Sequence, residues 1–194
     1  MKKQAKKGHI VVVSAPSGAG KTTICDAYIA SDKNAVYSIS YTTRAPRHGE
    51  KNGREYFFTN KKTFKKMAKE NKFAEWAKVH GNYYGTPKAF LNKTINSGKN
   101  VLLDIDVQGG LKIKKCYKNA CMIFITAKDL KTIKARLIKR NKDSKETIAL
   151  RMKDATEELK YIPKYEYLVI NDKLPAAVSA VQTIIKSLNY KQEN

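Results

Sequence analysis

One short segment constrains the fold of this chain more than any other: the glycine-containing run Ala15-Pro16-Ser17-Gly18-Ala19-Gly20-Lys21-Thr22. It fits the phosphate-binding pattern G-x-x-x-x-G-K-[ST] at every position except the first, where Ala15 stands. A continuous apolar run over 9–14 precedes it and predicts a strand buried on both faces, and a helical pattern begins at Lys21. This order of strand, loop and helix predicts a loop whose backbone N–H groups bind the phosphates of a nucleoside triphosphate. We expect Lys21 to reach the β- and γ-phosphates and the Thr22 hydroxyl to ligate Mg²⁺.

Three more apolar runs follow along the chain, and helical patterns lie between them. The runs over 101–106, 122–126 and 167–170 each predict a buried strand. Helical periodicity begins at Lys21 and recurs over 61–70, 87–97, 108–117, 130–138, 148–159 and 175–189. Because buried strands that alternate with helices form parallel sheets, we predict an α/β fold with a parallel sheet covered by helices on both faces.

Two carboxylates, Asp104 and Asp106, end the run over 101–106. Either of them could hold the water shell of Mg²⁺, which is a common role of an acidic residue at the end of a neighbouring strand. Asp106 could instead cap the helix that follows it. The sequence leaves both interpretations open.

The segment between the first helix and residue 87 has a different character. Residues 36–58 are rich in Ser, Thr, Tyr, Gly and Pro, which predicts short strands and turns in a small excursion from the main sheet. A helix over 61–70 is expected to begin at a cap formed by Thr59 or Asn60. We then predict a strand over 72–79 and a loop over 81–87.

The net charge of +22 comes mostly from lysine, since 33 of the 39 cationic residues are Lys and six are Arg. The lysines are spread along the whole chain, which favours a solvated lysine-rich surface over a nucleic-acid-binding stripe. In a chain where Lys is the default cation, Arg is expected where a planar, two-pronged donor is needed for phosphate oxygens. The six are Arg44, Arg47, Arg54, Arg136, Arg140 and Arg151.

Other composition features exclude several classes of protein. The three cysteines form no C-x-x-C pair and are predicted to be free buried thiols in a reducing cytoplasm. The three histidines lack metal-ligand spacing, so no zinc site is expected. The longest apolar runs are far shorter than the ~20 residues of a membrane helix. The lysine-rich N-terminus is like the charged start of a signal peptide, but the apolar run over 10–13 is too short for one, so no export signal is expected.

A candidate acceptor site lies in the segment 40–50, which combines hydroxyl groups with Arg44 and Arg47. Two guanidinium groups in a proline-stiffened loop could clamp a dianionic phosphate, and the Tyr56 hydroxyl could add a neutral donor. Further along, a buried Glu75 carboxylate could accept two hydrogen bonds side by side. Guanine offers such a pair, N1–H and N2–H₂, and adenine does not.

The sequence closely resembles the guanylate kinase family from Gly8 to about Leu188. The family signature S-x-x-T-T-R-x-P-R-x-G-E-x-x-G-x-x-Y is present from Ser40 to Tyr56, and E-W-A follows at Glu75, G-N-Y-Y-G-[ST] at Gly81 and L-D-I-D-x-Q-G at Leu103. The resemblance implies a P-loop kinase fold in which the ATP γ-phosphoryl group is transferred to GMP, and also to dGMP. It implies a single domain over 1–194, with a core over 8–39, 88–137 and 151–190, a GMP-binding lobe over 40–87 and a short lid over 138–150.

The resemblance also implies roles for individual residues. GMP would be bound by Ser40, Arg44, Arg47, Tyr56, Glu75, Tyr84, Thr86 and Asp104. ATP would be bound by Ala15, Pro16, Ser17, Gly18, Ala19, Gly20, Lys21, Thr22 and Thr23, with Asn171 near the adenine. The catalytic residues would be Lys21, Arg44, Arg136, Arg140 and Arg151. Arg54 is interpreted as a surface residue and Trp76 as a packing residue.

The implied reaction needs no general base, because the acceptor phosphate oxygen is already anionic at pH 7 (second pKa about 6). Catalysis would then consist of positioning and charge neutralisation, with Mg²⁺ carried by ATP. Three other functions are weighed against this one: a non-catalytic binding module of the same family, a basic nucleic-acid-binding protein, and a related P-loop kinase with another acceptor. We expect a cytoplasmic protein with no membrane partner and no specific nucleic-acid partner, either a monomer or a homo-oligomer.

Overall fold

A parallel sheet forms the centre of the molecule. The computed structural model describes residues 7–139 and 144–190. In chain order the helices and strands are β1 (Ile10–Ser14), α1 (Lys21–Ser31), β2 (Ala35–Tyr37), β3 (Tyr41–Thr42), β4 (Phe57–Phe58), α2 (Lys61–Lys69), β5 (Phe73–Val79), β6 (Asn82–Pro87), α3 (Lys88–Asn96), β7 (Asn100–Asp104), α4 (Val107–Cys116), β8 (Cys121–Thr126), α5 (Leu130–Lys139), α6 (Lys145–Leu159), a 3₁₀ turn (Ile162–Lys164), β9 (Tyr167–Ile170) and α7 (Leu174–Tyr190). Five of the strands form the parallel sheet in the order β2-β7-β1-β8-β9.

The central strand β1 determines where the loop after it lies. All five of its residues are buried, as expected for a β-branched strand with neighbours on both edges and helices on both faces. Its parallel register with β7 pairs Val13 with Asp104. The carboxyl ends of both strands therefore meet at the same edge of the sheet, where α/β proteins bind their ligands.

Helices cover both faces of this sheet, which confirms the predicted α/β fold. On one face α1 and α7 pack on the strands through a core that includes Ile24, Tyr28, Val181, Ile185, Val11, Val13, Ile123 and Ile125. On the other face α3 and α4 supply Leu91 and Ile113 against Ile10, Val12, Val101, Leu103 and Met122. A separate small cluster joins α5 to α6 through Ile133, Leu137 and Ala155.

A second sheet, β4-β3-β6-β5, shares no strand with the first and has its own aromatic core. The ring of Phe64 on α2 stacks on Phe73 with centroids 4.5 Å apart and on Tyr83 at 5.5 Å. A side chain at Gly85 would approach the Phe73 ring to within 2.9 Å, so only glycine fits under this cluster. Asn60 caps α2, since its side chain accepts a hydrogen bond from the Thr63 N–H.

Three local predictions were wrong. Residues 82–87 form the strand β6 rather than a loop, because they pair with β5 along its length and the positive φ angles of His80 and Gly81 make the turn. Residues 35–37 join the main sheet as β2 rather than the excursion. The strand β9 is an edge strand rather than a buried one, and Leu168 and Ile170 on it are 48% and 54% exposed.

Other expectations have mixed outcomes. All three cysteines are free and Cys25 and Cys121 are buried, but Cys116 is exposed, because it ends α4 at the surface. Within residues 7–139 and 144–190, no helix has both the length and the apolar character needed to cross a membrane. Arg140 and the predicted lid residues 141–143 lie outside the described residues. The division into core, lobe and lid stays a prediction.

The stacked position of Phe64 leads to a stability prediction. Phe64 is 1% exposed and touches three other aromatic rings, so Phe64→Ala should leave a cavity and cost about 3–5 kcal/mol of the free energy of unfolding of the small sheet. Chemical denaturation followed by far-UV circular dichroism measures this loss. Phe90→Ala removes the same atoms from a site that is 39% exposed and should cost much less. Equal losses in the two variants would contradict the packing interpretation.

Candidate active site

The glycine-containing loop between β1 and α1 has the backbone shape of a phosphate-binding nest. Gly18 and Gly20 adopt φ angles of +87° and +89°, which other residues rarely adopt, and Gly20 directly precedes the first turn of α1. A turn hydrogen bond from the Ala19 N–H to the Pro16 carbonyl closes the loop at 3.1 Å. Backbone N–H groups in this conformation, together with a helix N-terminus, favour an anion.

Two side chains from elsewhere hold this loop from outside. The Asn171 amide donates to the Ala19 carbonyl at 2.7 Å, and Arg136 donates to the same carbonyl at 3.3 Å. Arg136 also donates to the Asn171 carbonyl at 2.8 Å, and the Asn171 N–H bonds to the end of β8. The loop is therefore fixed to the main sheet before any ligand arrives.

Lys21 and Thr22, the first residues of α1, both lie beside Asp104 at the end of β7. Lys21 forms an ion pair with Asp104, and the Thr22 hydroxyl donates to the same carboxylate at 3.3 Å. The Tyr37 hydroxyl donates to it at 2.8 Å. Burial lowers the pKa of Lys21, and nearby anionic groups, which include Asp106, oppose that shift.

The arrangement of Thr22 and Asp104 suits Mg²⁺, because it offers a hydroxyl and a carboxylate oxygen next to the loop. Asp106 has a different role, since its carboxylate accepts from the Gln108 and Gly109 N–H groups and caps α4. In the part of the chain that the structure describes, no three His, Cys, Asp or Glu side chains gather into a metal-binding group. Any Mg²⁺ here would be carried by a ligand's phosphates as well as by the protein.

A cavity of about 630 Å³, here called the loop cavity, opens in front of the nest. The phosphate loop forms one wall, and Arg47, His80 and Asp106 lie on others. Helix α6 forms the rest of the wall with Thr147, Leu150, Arg151, Asp154 and Glu158. Arg151 was predicted to lie here.

The sequence analysis did not identify Glu158, whose pKa is strongly shifted by burial. Desolvation raises the pKa of Glu158 to about 7, and Asp106 and Asp154 add to the shift. Lys21 and a hydrogen bond from the Ser17 backbone oppose it. The spacing of Arg151, Asp154 and Glu158 on one helix face was the available signal, since positions i, i+3 and i+7 align.

A smaller cavity of about 180 Å³, here called the carboxylate cavity, adjoins the loop cavity. Glu75 lies in its wall, 7% exposed, and accepts a hydrogen bond from the Thr86 hydroxyl at 2.6 Å. Desolvation raises the pKa of Glu75 to about 7, Thr86 and Lys112 lower it, and Asp106 raises it. The remaining wall is formed by Lys21, Ser40, Tyr56, Val79, Tyr84, Asp104, Ile105 and Asp106.

The two predicted clamp arginines lie in the wall of a third cavity, of about 560 Å³, here called the arginine cavity. Arg44 donates to both oxygens of Glu50, at 2.8 and 3.0 Å, and its guanidinium lies 5.3 Å from the centre of the Tyr56 ring. Hydrogen bonding to Glu50 raises the pKa of Arg44 and lowers that of Glu50. Three residues line both this cavity and the carboxylate cavity: Ser40, Tyr56 and Asp104.

The structure thus brings most of the predicted residues together. Thr86 lies behind Glu75 rather than in the cavity wall, and Arg136 and Asn171 lie behind the phosphate loop rather than in the loop cavity. Arg136 and Asn171 line an outer cavity of about 380 Å³, whose other lining residues are Gly18, Gly20, Thr23, Lys139, Asp172 and Leu174.

Two residues were predicted to have no part in binding. The side chain of Arg54, interpreted as a surface residue, is 58% exposed and pairs with Glu55, although it also borders the arginine cavity. Trp76 packs edgewise on Phe64 and Tyr83 and is 43% exposed.

Comparisons with known proteins match this chain to guanylate kinases. The family model described as Guanylate kinase matches residues 7–188. The guanylate kinase of Caldanaerobacter subterraneus subsp. tengcongensis is 47% identical over 180 residues, which cover 93% of this chain and 87% of that protein. The guanylate kinase of Clostridium tetani is 44% identical over 182 residues, covering 94% and 87%. The crystal structure of guanylate kinase from Anaplasma phagocytophilum has a TM-score of 0.79 at 29% identity, covering 94% of this chain and 86% of that one.

The close approach of Asn171 to Gly20 predicts the effect of one added methyl group. A Cβ at Gly20 would lie 2.4 Å from the Asn171 amide nitrogen, on a backbone that already has a positive φ. Gly20→Ala should therefore distort the loop and weaken ATP binding by at least about 100-fold in calorimetric titration. Gly53→Ala imposes a similar φ strain but meets only an ordinary contact to Phe57 at 3.6 Å, so ATP binding should be retained. Equal loss in both variants would contradict the role of the Asn171 contact.

Burial of Glu75 predicts a pH-dependent cost to stability. Its pKa rises from an ordinary 4.5 to about 7 on folding, so its contribution to stability is present in full below pH 4.5 and is lost as pH rises through 7. Glu75→Gln keeps an acceptor for Thr86 and removes the charge. It should stabilise the ligand-free protein at pH 8 by up to about 3 kcal/mol, with little gain at pH 4.5. Glu157→Gln, at an exposed pair with Lys160, should have little effect at either pH. Denaturant unfolding at the two pH values tests this, and a pH-independent gain would contradict it.

Proposed function

The chain belongs to the guanylate kinase family, and from this premise we propose that it transfers the γ-phosphoryl group of ATP to GMP, forming ADP and GDP. It is a nucleoside monophosphate kinase. The observation that carries the proposal is that Lys21 lines both the loop cavity and the carboxylate cavity. A phosphate held by the loop and a nucleotide held beside Glu75 would therefore meet at one side chain.

The base of GMP would bind in the carboxylate cavity. Ionised Glu75 would accept hydrogen bonds from guanine N1–H and N2–H₂, and Ser40 would approach O6. Thr86, which the family resemblance also assigns to O6, is buried here and donates its hydroxyl proton to Glu75, so in this arrangement it would orient the carboxylate. The burial of Glu75 supports this role, because a base that lacks the two donors would leave the desolvated carboxylate without the two hydrogen bonds that guanine offers. Asp104 would lie at the edge of the base or near the metal.

The phosphate of GMP would bind at the border of the arginine cavity. Arg44 and Arg47 would clamp it, and the hydroxyl groups of Tyr56 and Tyr84 would add neutral donors. Support comes from the contacts of Arg44, whose guanidinium is hydrogen-bonded to Glu50 and lies beside the Tyr56 ring. No residue is assigned to the ribose 2′-hydroxyl, so dGMP should serve as a second acceptor.

The triphosphate of ATP would bind in the nest, with its γ-phosphate facing the loop cavity. Lys21 and Arg151 would neutralise the charge that develops on the transferring group. Thr23, Arg136 and Asn171 border the outer cavity, which supports a place for the adenosine behind the loop. Arg140 keeps the lid role that the family resemblance implies.

The reaction itself needs positioning more than proton transfer. Because the GMP phosphate oxygen is already anionic near pH 7, no side chain has to remove a proton from it. Mg²⁺ bound with ATP would supply charge neutralisation for the β- and γ-phosphates, and Thr22 with Asp104 would hold it. We further propose that the lobe over 40–87 and the lid over 138–150 close over the core and keep water from the γ-phosphate.

Several sequence-based expectations accompany this proposal. We still predict that the protein is a cytoplasmic enzyme of nucleotide metabolism. It is expected to act on free nucleotides and to bind no specific nucleic acid. The intact residues Gly18, Gly20 and Lys21 favour an active kinase over a non-catalytic module of the same family, because such a module does not need a phosphate-binding loop.

A coupled ADP-release assay across GMP, dGMP, AMP, CMP and UMP tests the proposal. We expect GMP to be used, dGMP to follow, and the kcat/KM for AMP to be lower than that for GMP by about 10⁴. Lys21→Ala should reduce kcat with GMP by about 1,000-fold or more, which identifies the loop as the source of activity. Turnover of AMP as fast as GMP would contradict the assignment of Glu75, and normal turnover by Lys21→Ala would contradict that of the loop.

A further inference from the structure

Glu50 belongs to the family signature, but the proposal above assigns it no contact with a nucleotide. Its carboxylate turns back across the loop to three donors. The Nη1 and Nη2 groups of Arg44 donate to it at 3.0 and 2.8 Å, and the backbone N–H of Arg47 donates at 2.7 Å. One carboxylate therefore links the side chain of the first clamp arginine to the backbone of the second.

The hydrogen bonds from Arg44 to Glu50 use one edge of the guanidinium, and another edge could bind a second anion. A guanidinium offers two edges to carboxylates or phosphates, one formed by Nη1 and Nη2 and one formed by Nε and Nη2. Glu50 takes the first edge, and the Ala45 carbonyl accepts a further bond from Nη1 at 2.8 Å. An acceptor phosphate would bind the second edge, so Glu50 and the phosphate need not compete.

The surroundings of Arg44 fix its plane as well as its edge. The guanidinium carbon lies 5.3 Å from the Tyr56 ring centre and 5.9 Å from that of Phe58, and the Arg44 side chain is 15% exposed. An Arg side chain held in one rotamer loses less conformational entropy when it binds a ligand. Glu50 contributes two of the bonds that hold the guanidinium in place, and the Ala45 carbonyl and the Tyr84 hydroxyl contribute others.

We propose that Glu50 is a positioning residue that holds Arg44 and the Arg47 backbone in the geometry required for the acceptor phosphate. This inference rests on the proposed function. Charge alone predicts the opposite effect, because Glu50 places a negative charge next to the site of a dianion. Removing that charge should strengthen phosphate binding if charge dominates, and weaken it if positioning dominates.

The same loop contains a matched control. Glu55 makes a similar set of bonds: Arg54 donates to one of its oxygens and the Lys51 N–H donates to the other at 2.7 Å. Both carboxylates thus pair with an Arg and accept from a backbone N–H. In the described part of the chain Arg44 does not donate to Glu55, and the Arg that pairs with Glu55 is Arg54, the one interpreted as a surface residue. Comparing Glu50→Gln with Glu55→Gln separates positioning of the clamp from general stabilisation of the loop.

Initial rates measured with GMP varied at saturating ATP, and then with ATP varied, test the proposal. Glu50→Gln should raise the KM for GMP by about 10-fold or more and leave the KM for ATP within about threefold. Glu55→Gln should leave both within about threefold. A lower or unchanged KM for GMP in Glu50→Gln, or equal effects of the two variants, would overturn the proposal.

A double-mutant cycle shows whether Glu50 acts through Arg44. In an Arg44→Lys background the bidentate partner is gone, so Glu50→Gln should change the KM for GMP less than it does in the unmodified protein, because only the bond to the Arg47 N–H remains to be altered. An undiminished effect in that background would overturn the role of Arg44 in the proposal. Glu50→Asp, which keeps the charge but is too short to span both bonds, provides a second variant if Glu50→Gln does not fold, and it should also raise the KM for GMP.

A binding measurement that does not depend on turnover distinguishes failure of this inference from failure of the proposed function. Calorimetric titration with GMP alone should show weaker binding to Glu50→Gln than to the unmodified protein, by about 10-fold or more. Equal affinity for GMP in the two proteins would overturn the role of Glu50 and leave the proposed function standing. An unmodified protein that neither binds nor phosphorylates GMP would overturn both.

Discussion

The register between β1 and β7 determines the position of everything else at the candidate site. Pairing of Val13 with Asp104 sets the loop after one strand beside the carboxylate that ends the next. A shift of one residue would turn Asp104 to the opposite face, away from Thr22 and Lys21. The register is in turn fixed by buried aliphatic side chains on both faces, so the packing of the core and the chemistry of the site depend on the same contacts.

The site is assembled at a cost to stability. Glu75 and Glu158 are carboxylates in surroundings that raise their pKa values to about 7, which means that burial of their charged forms opposes folding. Both carboxylates line cavities, at positions where apolar side chains would cost less free energy on folding. Perturbed acids at a cleft are typical of sites under functional constraint, and here they coincide with the walls around Lys21.

The sequence predicted the parts of the site that depend on local pattern and missed those that depend on tertiary pairing. The phosphate loop was found because a buried strand, two glycines and Lys21 are contiguous. The strand β6 was missed because its composition resembles a loop and only pairing with β5 makes it a strand. Glu158 was missed because helix α6 returns to the loop from far along the chain. The partner of Glu50 could not be read from spacing alone, since several cations lie within reach of that loop.

Two cations in the cavity walls, Arg44 and Lys21, illustrate how Arg and Lys differ as partners of a carboxylate. Arg44 can hold Glu50 on one edge and a phosphate on another, so its partner can stay when a nucleotide binds. Lys21 carries a compact charge and forms an ion pair with Asp104, so Asp104 would compete with a phosphate for the Lys21 ammonium group. Asp104 has two further donors, the hydroxyl groups of Thr22 and Tyr37, and neither bond depends on Lys21. These hydroxyl groups would hold Asp104 beside Thr22 if Lys21 turned to a phosphate, and the oxygen pair suited to Mg²⁺ would then be preserved.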